Sequence, residues 1–384
     1  MQNSYKIMIV AGEASGDLHA SKLVKALGES SDVDLEFFGC AGPRMREAGV
    51  DPVVMADDLA IVGLPEIGRA LPMFLRVFSK LKWTAIDRHP DVVVLVDFPD
   101  FNLKLAKSLS RRGFKIVYYI SPQLWAWRRY RINTIKRHVD LLITILPFEK
   151  NWYARHGVGH VEYVGSPLAR EVHPNSSRDE FRDRHGLDLT RPLITFLPGS
   201  RHKEIVRILP VMLETIASMS KADPRLQFVI AAASRENRNE IESILADRAD
   251  EVARIIAVEN ETFDALNASD VAAVTSGTAT LETGILGTPM AIVYKTSRLN
   301  YKLLRPLIDV EHFGLINLIA GDRVAAELIQ DDFTAGTLSA ELFRLLDPKA
   351  NSDAREKLRE ATEKLGHGGA SKRAADLILG LLKT

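Results

Sequence analysis

Cysteine is almost missing from this chain: Cys40 is the single thiol in 384 residues. That excludes an internal disulfide and a cysteine-built metal site, and it suits a reducing compartment. Excess charge is missing as well. Fifty Lys and Arg balance fifty Asp and Glu, which removes the electrostatic reason to expect a nucleic-acid partner. No uninterrupted apolar run approaches the ~20 residues that a membrane span needs. The opening Met1-Gln2-Asn3-Ser4-Tyr5-Lys6 has no basic leader and leads directly into an apolar strand, so the expected setting is the cytoplasm. The dinucleotide glycine fingerprint and the Walker Gly-Lys-Ser/Thr are also missing. The only Asp-x-Asp, Asp32-Val33-Asp34, precedes a strand instead of following one. No metal is therefore expected, and cationic side chains and helix dipoles are left to handle any anion.

What is present is a repeating rhythm of short apolar runs, each followed by a turn and an amphipathic helix. Lys6–Ala11, Leu35–Gly39, Asp91–Val96, Phe114–Ile120, Leu141–Leu146 and Val161–Val164 read as strands of one block. Leu193–Leu197, Phe228–Ala232, Arg254–Val258, Val271–Val274 and Pro289–Tyr294 form a second. Runs this short and apolar belong to strands buried on both faces of a parallel sheet. Gly165-Ser166-Pro167-Leu168 reads as the link, and Pro289–Tyr294 as the last strand, with helices beyond it. Two successive βα blocks predict an α/β chain of two facing, Rossmann-like, doubly wound domains with a cleft between them.

In such sheets ligands gather outside the carboxyl ends of the strands. Asp97 is the first carboxylate past the run Asp91–Val96, poorly solvated and able to accept a proton. Asp100, three residues on, reads first as a helix cap. In the second block, Leu193–Leu197 ends in Pro198-Gly199-Ser200-Arg201. A hydroxyl and a forked guanidinium there suit a phosphate. Val271–Val274 ends in Thr275-Ser276-Gly277-Thr278 before a helix, and Glu282 follows where a carboxylate can accept from ribose hydroxyls. Such a helix start offers N–H groups and a positive dipole to a diphosphate, although pattern alone equally allows an ordinary capped helix. Gly12-Glu13-Ala14-Ser15-Gly16-Asp17 reads either as a ligand loop or as a tight turn. Asn317 stands out as a polar residue inside the apolar run Gly314–Ile319.

Two further stretches are both apolar and basic. Between Leu59 and Trp83, Leu71, Phe74, Leu75 and Phe78 make one helical stripe. Met73 and Val77 widen it, and Arg69, Arg76, Lys80 and Lys82 are interleaved. The pattern fits a helix lying on an anionic membrane or holding acyl chains, and equally a helix buried between layers. The second stretch, Ser121-Pro122-Gln123-Leu124-Trp125-Ala126-Trp127-Arg128-Arg129-Tyr130-Arg131, reads as a cationic, adhesive loop suited to lipid.

Seven of these segments taken in order resemble the lipid-A-disaccharide synthase family. They are Val10–Asp17, Ala41–Met45, Pro99–Asn102, Ser121-Pro122 with Trp125–Arg128, Leu146–Glu149, Leu197–Arg201 and Ser276–Glu282. The resemblance implies a metal-independent, inverting GT-B glycosyltransferase without a cofactor. It would join UDP-2,3-diacylglucosamine to 2,3-diacylglucosamine 1-phosphate (lipid X), giving the lipid A disaccharide 1-phosphate and UDP. It implies an acceptor and lipid domain over residues 1–165 and a donor domain over 166–345. The helices of 346–384 would pack back on the first domain or exchange in a homodimer. Asp97 is implied as the general base, with Glu13 or Asp100 as carboxylates that could share the role. Ser200, Arg201, Ser276, Gly277, Thr278, Glu282 and Asn317 are implied on the donor. Gly12, Glu13, Ser15, Gly16 and Asp100 would form an acceptor or phosphate loop. Leu71, Phe74, Phe78, Trp125 and Trp127 would meet lipid, at the inner face of the cytoplasmic membrane. The alternatives are a GT-B epimerase, a transferase for another lipid-linked sugar, and a non-catalytic nucleotide- or lipid-binding protein.

Overall fold

Short strands of three to eight residues, the central ones buried and rich in β-branched side chains, build both sheets of the computed structural model, which describes residues 4–57, 67–246, 255–304, 310–366 and 368–383. The chain divides into two compact units, residues 1–167 with 367–384, and residues 168–366. The break falls in the Gly165–Leu168 segment. Each unit holds one parallel sheet.

The first sheet contains β1 (Ser4–Ala11), β2 (Asp34–Ala41), β3 (Asp51–Met55), β4 (Val92–Val96), β5 (Ile116–Tyr119), β6 (Leu141–Thr144) and β7 (Val161–Tyr163), in the order β3-β2-β1-β4-β5-β6-β7. All five residues of β4 are buried, as a central parallel strand requires. The strand order reverses between β1 and β4, where Ala11 pairs with Val96. The turn after each strand therefore opens beside the other. A reversal of this kind leaves a crevice at the strand ends, the usual ligand position of doubly wound sheets. Helix Ala370–Leu382, last in sequence, belongs to this unit. Ala374, Ala375, Ile378 and Leu382 join Leu23 and Leu27 of helix Ala14–Ser30 in one apolar core. Helix Pro348–Glu363 precedes it and belongs to the second unit.

The second sheet runs β10-β9-β8-β11-β12-β13, from β8 (Leu193–Leu197), β9 (Gln227–Ala232), β10 (Ile255–Glu259), β11 (Val271–Thr275), β12 (Met290–Tyr294) and β13 (Ala326–Ile329). Its reversal lies between β8 and β11, with Leu197 paired to Val274. Two strands depart from the expected set. β3 and β13 are edge strands, and β13 is only partly buried along its length, so neither carries a continuous apolar run. The chain after Tyr294 is thus not wholly helical.

Arg182 staples the second unit from within. Its side chain is fully buried and its guanidinium donates to the carbonyls of Ala268 (2.9 Å), Arg191 (2.9 Å) and Asp188 (3.2 Å), and to the Asp270 carboxylate (3.1 Å). Asp270 in turn accepts from Leu193 N at 2.8 Å and pairs with Arg178 at 2.5 Å. One planar fork thus ties the starts of β8 and β11 to the segment that leads into them. Arg182→Ala should cost about 3–5 kcal/mol, because it strands buried carbonyls and loosens a half-buried carboxylate. Arg182→Lys should recover little, lacking the fork. Urea denaturation followed by circular dichroism measures both, and a loss below ~1 kcal/mol, the scale of a surface pair, would exclude the stapling role.

Candidate functional site

The first unit forms its site at the β1/β4 reversal. Asp97 and Phe98 follow β4 with φ of 47° and 50°, both left-handed and neither a glycine. Such a pair is strained and persists only where its surroundings hold it. Two side chains do so through the Asp97 carbonyl, which accepts from the Tyr118 hydroxyl at 2.6 Å and from Asn102 Nδ2 at 2.9 Å. The Asp97 N–H donates to Tyr119 O at 3.0 Å. Phe98 is thereby turned so that its ring covers Gly12, where a Cβ would lie 2.5 Å from the ring. Packing alone therefore requires a glycine at position 12.

The Asp97 carboxyl group is largely desolvated. Burial lifts it to about 6, the Glu13 carboxylate adds to the rise, and a hydrogen bond from Phe98 opposes it. A carboxylate poised there suits a proton acceptor near neutral pH. Glu13 and Ser15 are exposed at the start of helix Ala14–Ser30, and Gly16 is buried in it. Glu13 acts on Asp97 through its charge. Asp17 accepts from Arg44 N (2.9 Å) and Met45 N (3.1 Å) and so serves the next helix. Asp100 is held by Arg128 (2.8 Å) and by Arg131, and is engaged differently from Asp97.

The lipid candidates separate. Trp125 is 6% exposed, packs edge-on against Phe148 and donates to Glu149 at 3.1 Å. It is a core residue, contrary to its expected place on a lipid surface. Glu149, pushed to about 7 by burial, also accepts from Ser121 at 2.9 Å and Leu146 N at 3.2 Å. It thus anchors the Ser121–Trp127 loop from beneath, and the tryptophan needed a partner for its N–H. Trp127 is 45% exposed under the Arg128 guanidinium. On helix Ile67–Arg88, Phe74 and Phe78 are half-buried against Phe98 and Phe101, whereas Leu75 is 60% exposed. The Leu71 side chain and residues 58–66 lie outside the described residues.

The second unit has a cavity of about 530 Å³ at the β8/β11 reversal. It brings together Gly199, Ser200, Arg201, Ser276, Gly277, Thr278 and Glu282, the donor candidates from two separate stretches. Gly199 has φ of 115°, and a Cβ there would come within 2.6 Å of Glu204. That carboxylate accepts from Ser200 N (3.2 Å), Arg201 N (3.3 Å) and the Arg201 guanidinium (3.0 Å). The Arg201 side chain is 79% exposed, so its tether to Glu204 is exchangeable. His202, next in sequence, places Nδ1 against the Glu240 carboxylate. Ser276 spends its N–H on Val293 O (2.9 Å) and its hydroxyl on Phe313 O (2.8 Å). The N–H groups left to face an anion at this turn are therefore those that open helix Thr278–Ile285. Gly277 permits the turn with φ of 151°. Glu282 is lifted above the ordinary carboxylate range by burial.

Asn317 is buried behind the wall. It donates to Ala325 O (2.8 Å) and Glu327 (2.9 Å) and accepts from Ala325 N (2.9 Å). Glu327 also accepts from Phe313 N (3.0 Å) and Gly314 N (2.8 Å). The pair fixes the loop on which the Ser276 hydroxyl rests. The sequence reading missed Glu204, Tyr118, Asn102 and three residues of the cavity wall, Asn260, Thr262 and Phe263. Asn260, left-handed directly after β10, carried a usable signal: strand ends bear ligands. Among the described residues no group of three His, Cys, Asp or Glu is arranged to hold a metal ion. His156 and His160 have a ligand-like spacing, but the helix ends at Arg155 between two turns, and His156 Nδ1 lies 2.8 Å from Trp152 O.

A family model described as lipid-A-disaccharide synthetase matches residues 7–379. The lipid-A-disaccharide synthase of Geobacter sulfurreducens is 42% identical over 380 residues, covering 99% of this chain and 98% of its own. That of Myxococcus xanthus is 41% identical over 383 residues, covering 100% and 99%. Solved structures share the two-domain GT-B fold. A UDP-GlcNAc 2-epimerase from Neisseria meningitidis bound to UDP-GlcNAc superposes with a TM-score of 0.65 at 13% identity, over 98% of this chain and 100% of that one. The calicheamicin glycosyltransferase superposes with 0.62 at 15%, over 100% and 99%. The chain belongs to the lipid-A-disaccharide synthase family.

A like charge raises a carboxyl group, so removing it must lower the group. Glu13→Gln should move the Asp97 titration below about 6, and with it the acid limb of turnover, where activity appears as the base loses its proton. A pH–rate profile measures this. An unmoved or upward-shifted limb would exclude the coupling.

Proposed function

We propose that this member of the lipid-A-disaccharide synthase family joins UDP-2,3-diacylglucosamine to 2,3-diacylglucosamine 1-phosphate, with Asp97 as general base. Membership makes the chain a UDP-sugar-dependent glycosyltransferase of lipid A biosynthesis. The observation that carries the mechanism is Asp97 itself, a desolvated carboxylate at about 6, fixed at the end of a buried strand.

In the reaction Asp97 takes the proton of the acceptor 6-hydroxyl. The oxygen attacks the donor's anomeric carbon, the bond to the β-phosphate breaks, and UDP leaves with the bonding electrons. The configuration inverts because attack and departure occur on opposite faces. Charge developing on the diphosphate is met by the first-turn N–H groups of helix Thr278–Ile285 and by Arg201, released from Glu204. Glu282 accepts from the ribose hydroxyls, and Asn260 and Phe263 bound the same cavity. Ser276 and Asn317 support the donor turn from behind. No step asks for a metal ion. Glu13 tunes the base.

The same reading has the enzyme work at a membrane surface. No helix among the described residues is long and apolar enough to cross one. Support comes from helix Ile67–Arg88, which exposes Leu75 beside Arg76, and Trp83 (59% exposed) beneath Lys82. An apolar and cationic face suits an anionic bilayer. Leu75→Asp with Trp83→Ser should reduce co-sedimentation with anionic vesicles. Undiminished binding would remove this face from the contact.

Incubation with both diacylated sugars, following UDP and disaccharide, tests the activity. Asp97→Asn should lower kcat by about 10²–10⁴-fold while calorimetry still detects UDP. Absence of disaccharide from the wild type would overturn the assignment, and conversion of the donor without acceptor would favour the epimerase reading.

A further inference from the structure

Beside the Asp97 turn lies a cationic cluster that the mechanism above leaves unused. Arg128 Nη1 donates to Asp100 Oδ1 at 2.8 Å, and Arg131 Nη2 donates to the same oxygen. Two guanidiniums therefore share one carboxylate oxygen, and the group keeps a net positive charge. Asp100 opens helix Pro99–Ser110, three residues after Asp97. Arg131 is close enough to act electrostatically on the Tyr118 hydroxyl, which itself binds the Asp97 carbonyl.

The cluster is built rather than fortuitous. The Arg131 side chain is only 14% exposed. Arg128 adopts a left-handed backbone, φ 53°, and stacks 4.1 Å from the Trp127 ring centre. The loop beneath is fixed by Glu149 through Ser121 and Trp125, and by the Tyr153 hydroxyl on Pro122 O at 2.9 Å. Asp100, in contrast, is 67% exposed. An exposed carboxylate facing two oriented forks is weakly held, and an anion with more oxygens and more charge can take its place.

We propose that Arg128 and Arg131 form the site that reads the phosphate monoester of the acceptor sugar, with Asp100 occupying it until substrate arrives. The inference rests on the proposed acceptor chemistry. It assigns to these arginines the discrimination between a phosphorylated and an unphosphorylated acceptor. The C1 phosphate and the C6 hydroxymethyl flank the ring oxygen of the acceptor, so anchoring the phosphate would orient the hydroxyl assigned to Asp97.

The test compares 2,3-diacylglucosamine with and without its 1-phosphate. The wild type should prefer the phosphorylated acceptor, and Arg128→Gln with Arg131→Gln should lower the ratio of the two kcat/KM values by roughly 10- to 100-fold with UDP affinity kept. Asp100→Asn, which frees the forks, should lower the KM for the phosphorylated acceptor. This second variant guards against a misfolded loop. Calorimetry with glucosamine 1-phosphate and glucosamine gives a readout apart from turnover: the phosphate ester should bind the wild type and not the double variant. Disaccharide formation with an unchanged acceptor ratio in the double variant overturns this site and leaves the function standing. Absence of disaccharide with arginine-dependent binding of glucosamine 1-phosphate does the reverse. Loss of anionic-vesicle binding in the double variant, with the acceptor ratio intact, would assign the arginines to bilayer headgroups and also overturn the proposal.

Discussion

Much of the first unit depends on the hydrogen bonds that hold Asp97 and Phe98 in a left-handed turn. Each non-glycine residue in that region costs on the order of 1–3 kcal/mol, and the Asp97 carbonyl offsets it by accepting two buried donors, Tyr118 and Asn102. The turn has two outcomes. It stops the strand where a carboxylate is still desolvated, and it swings Phe98 into the cluster of Phe101 and Phe74. The Asp97 turn and the apolar helix Ile67–Arg88 are therefore packed through one set of rings. Gly12 completes the arrangement by having no side chain for Phe98 to displace. A substitution anywhere in this set would reach Asp97 through geometry, without touching the carboxylate.

The second unit solves the same topological problem with glycine. Gly199 and Gly277 take the positive φ values there, so little strain is stored and the support can be lighter. It comes from one loop: Glu327 gathers Phe313, Gly314 and Asn317, and Phe313 O receives the Ser276 hydroxyl. The difference matches the chemistry proposed for each turn. A base must be a side chain, so its residue cannot be glycine, whereas backbone N–H groups are presented best where no Cβ obstructs them.

This distinction also explains what the sequence made legible. The buried strands and the residues just past them were readable because an apolar run of fixed length and its following turn are local signals, as at Val92–Val96 and Val271–Thr275. Edge strands β3 and β13 escaped because an edge need not be apolar throughout. Trp125 was misread since an aromatic in a basic loop gives no hint of a buried Glu149 lying 24 residues ahead. Tyr118 gave no sign at all. Its value lies in a carbonyl 21 residues earlier, and only the pairing of β4 with β5 brings them together. Ser276 was legible as a position at a strand end but not in its bonding, because the partner is a loop 37 residues further on.

Arg201 and Arg131 share a feature that no motif announces. Each arginine at a strand-end site is engaged by a carboxylate from the first turn of an adjoining helix, Glu204 in one unit and Asp100 in the other. Bare guanidiniums beside a helix start would collect any inorganic anion. A tethered carboxylate sets a threshold, since it is displaced only by a ligand that offers more charge and more oxygens in the right plane. On the proposed donor role, a diphosphate would pass that threshold and a chloride ion would not. Glu204 also occupies the N–H groups of Ser200 and Arg201, so its departure would free donors and fork in a single movement. Affinity for the free anion is lowered, while affinity for the intended ligand, anchored also through its sugar, suffers less. On the roles proposed for the two arginines, selectivity for donor and for acceptor would follow from the same arrangement of opposite charges, repeated on two sheets.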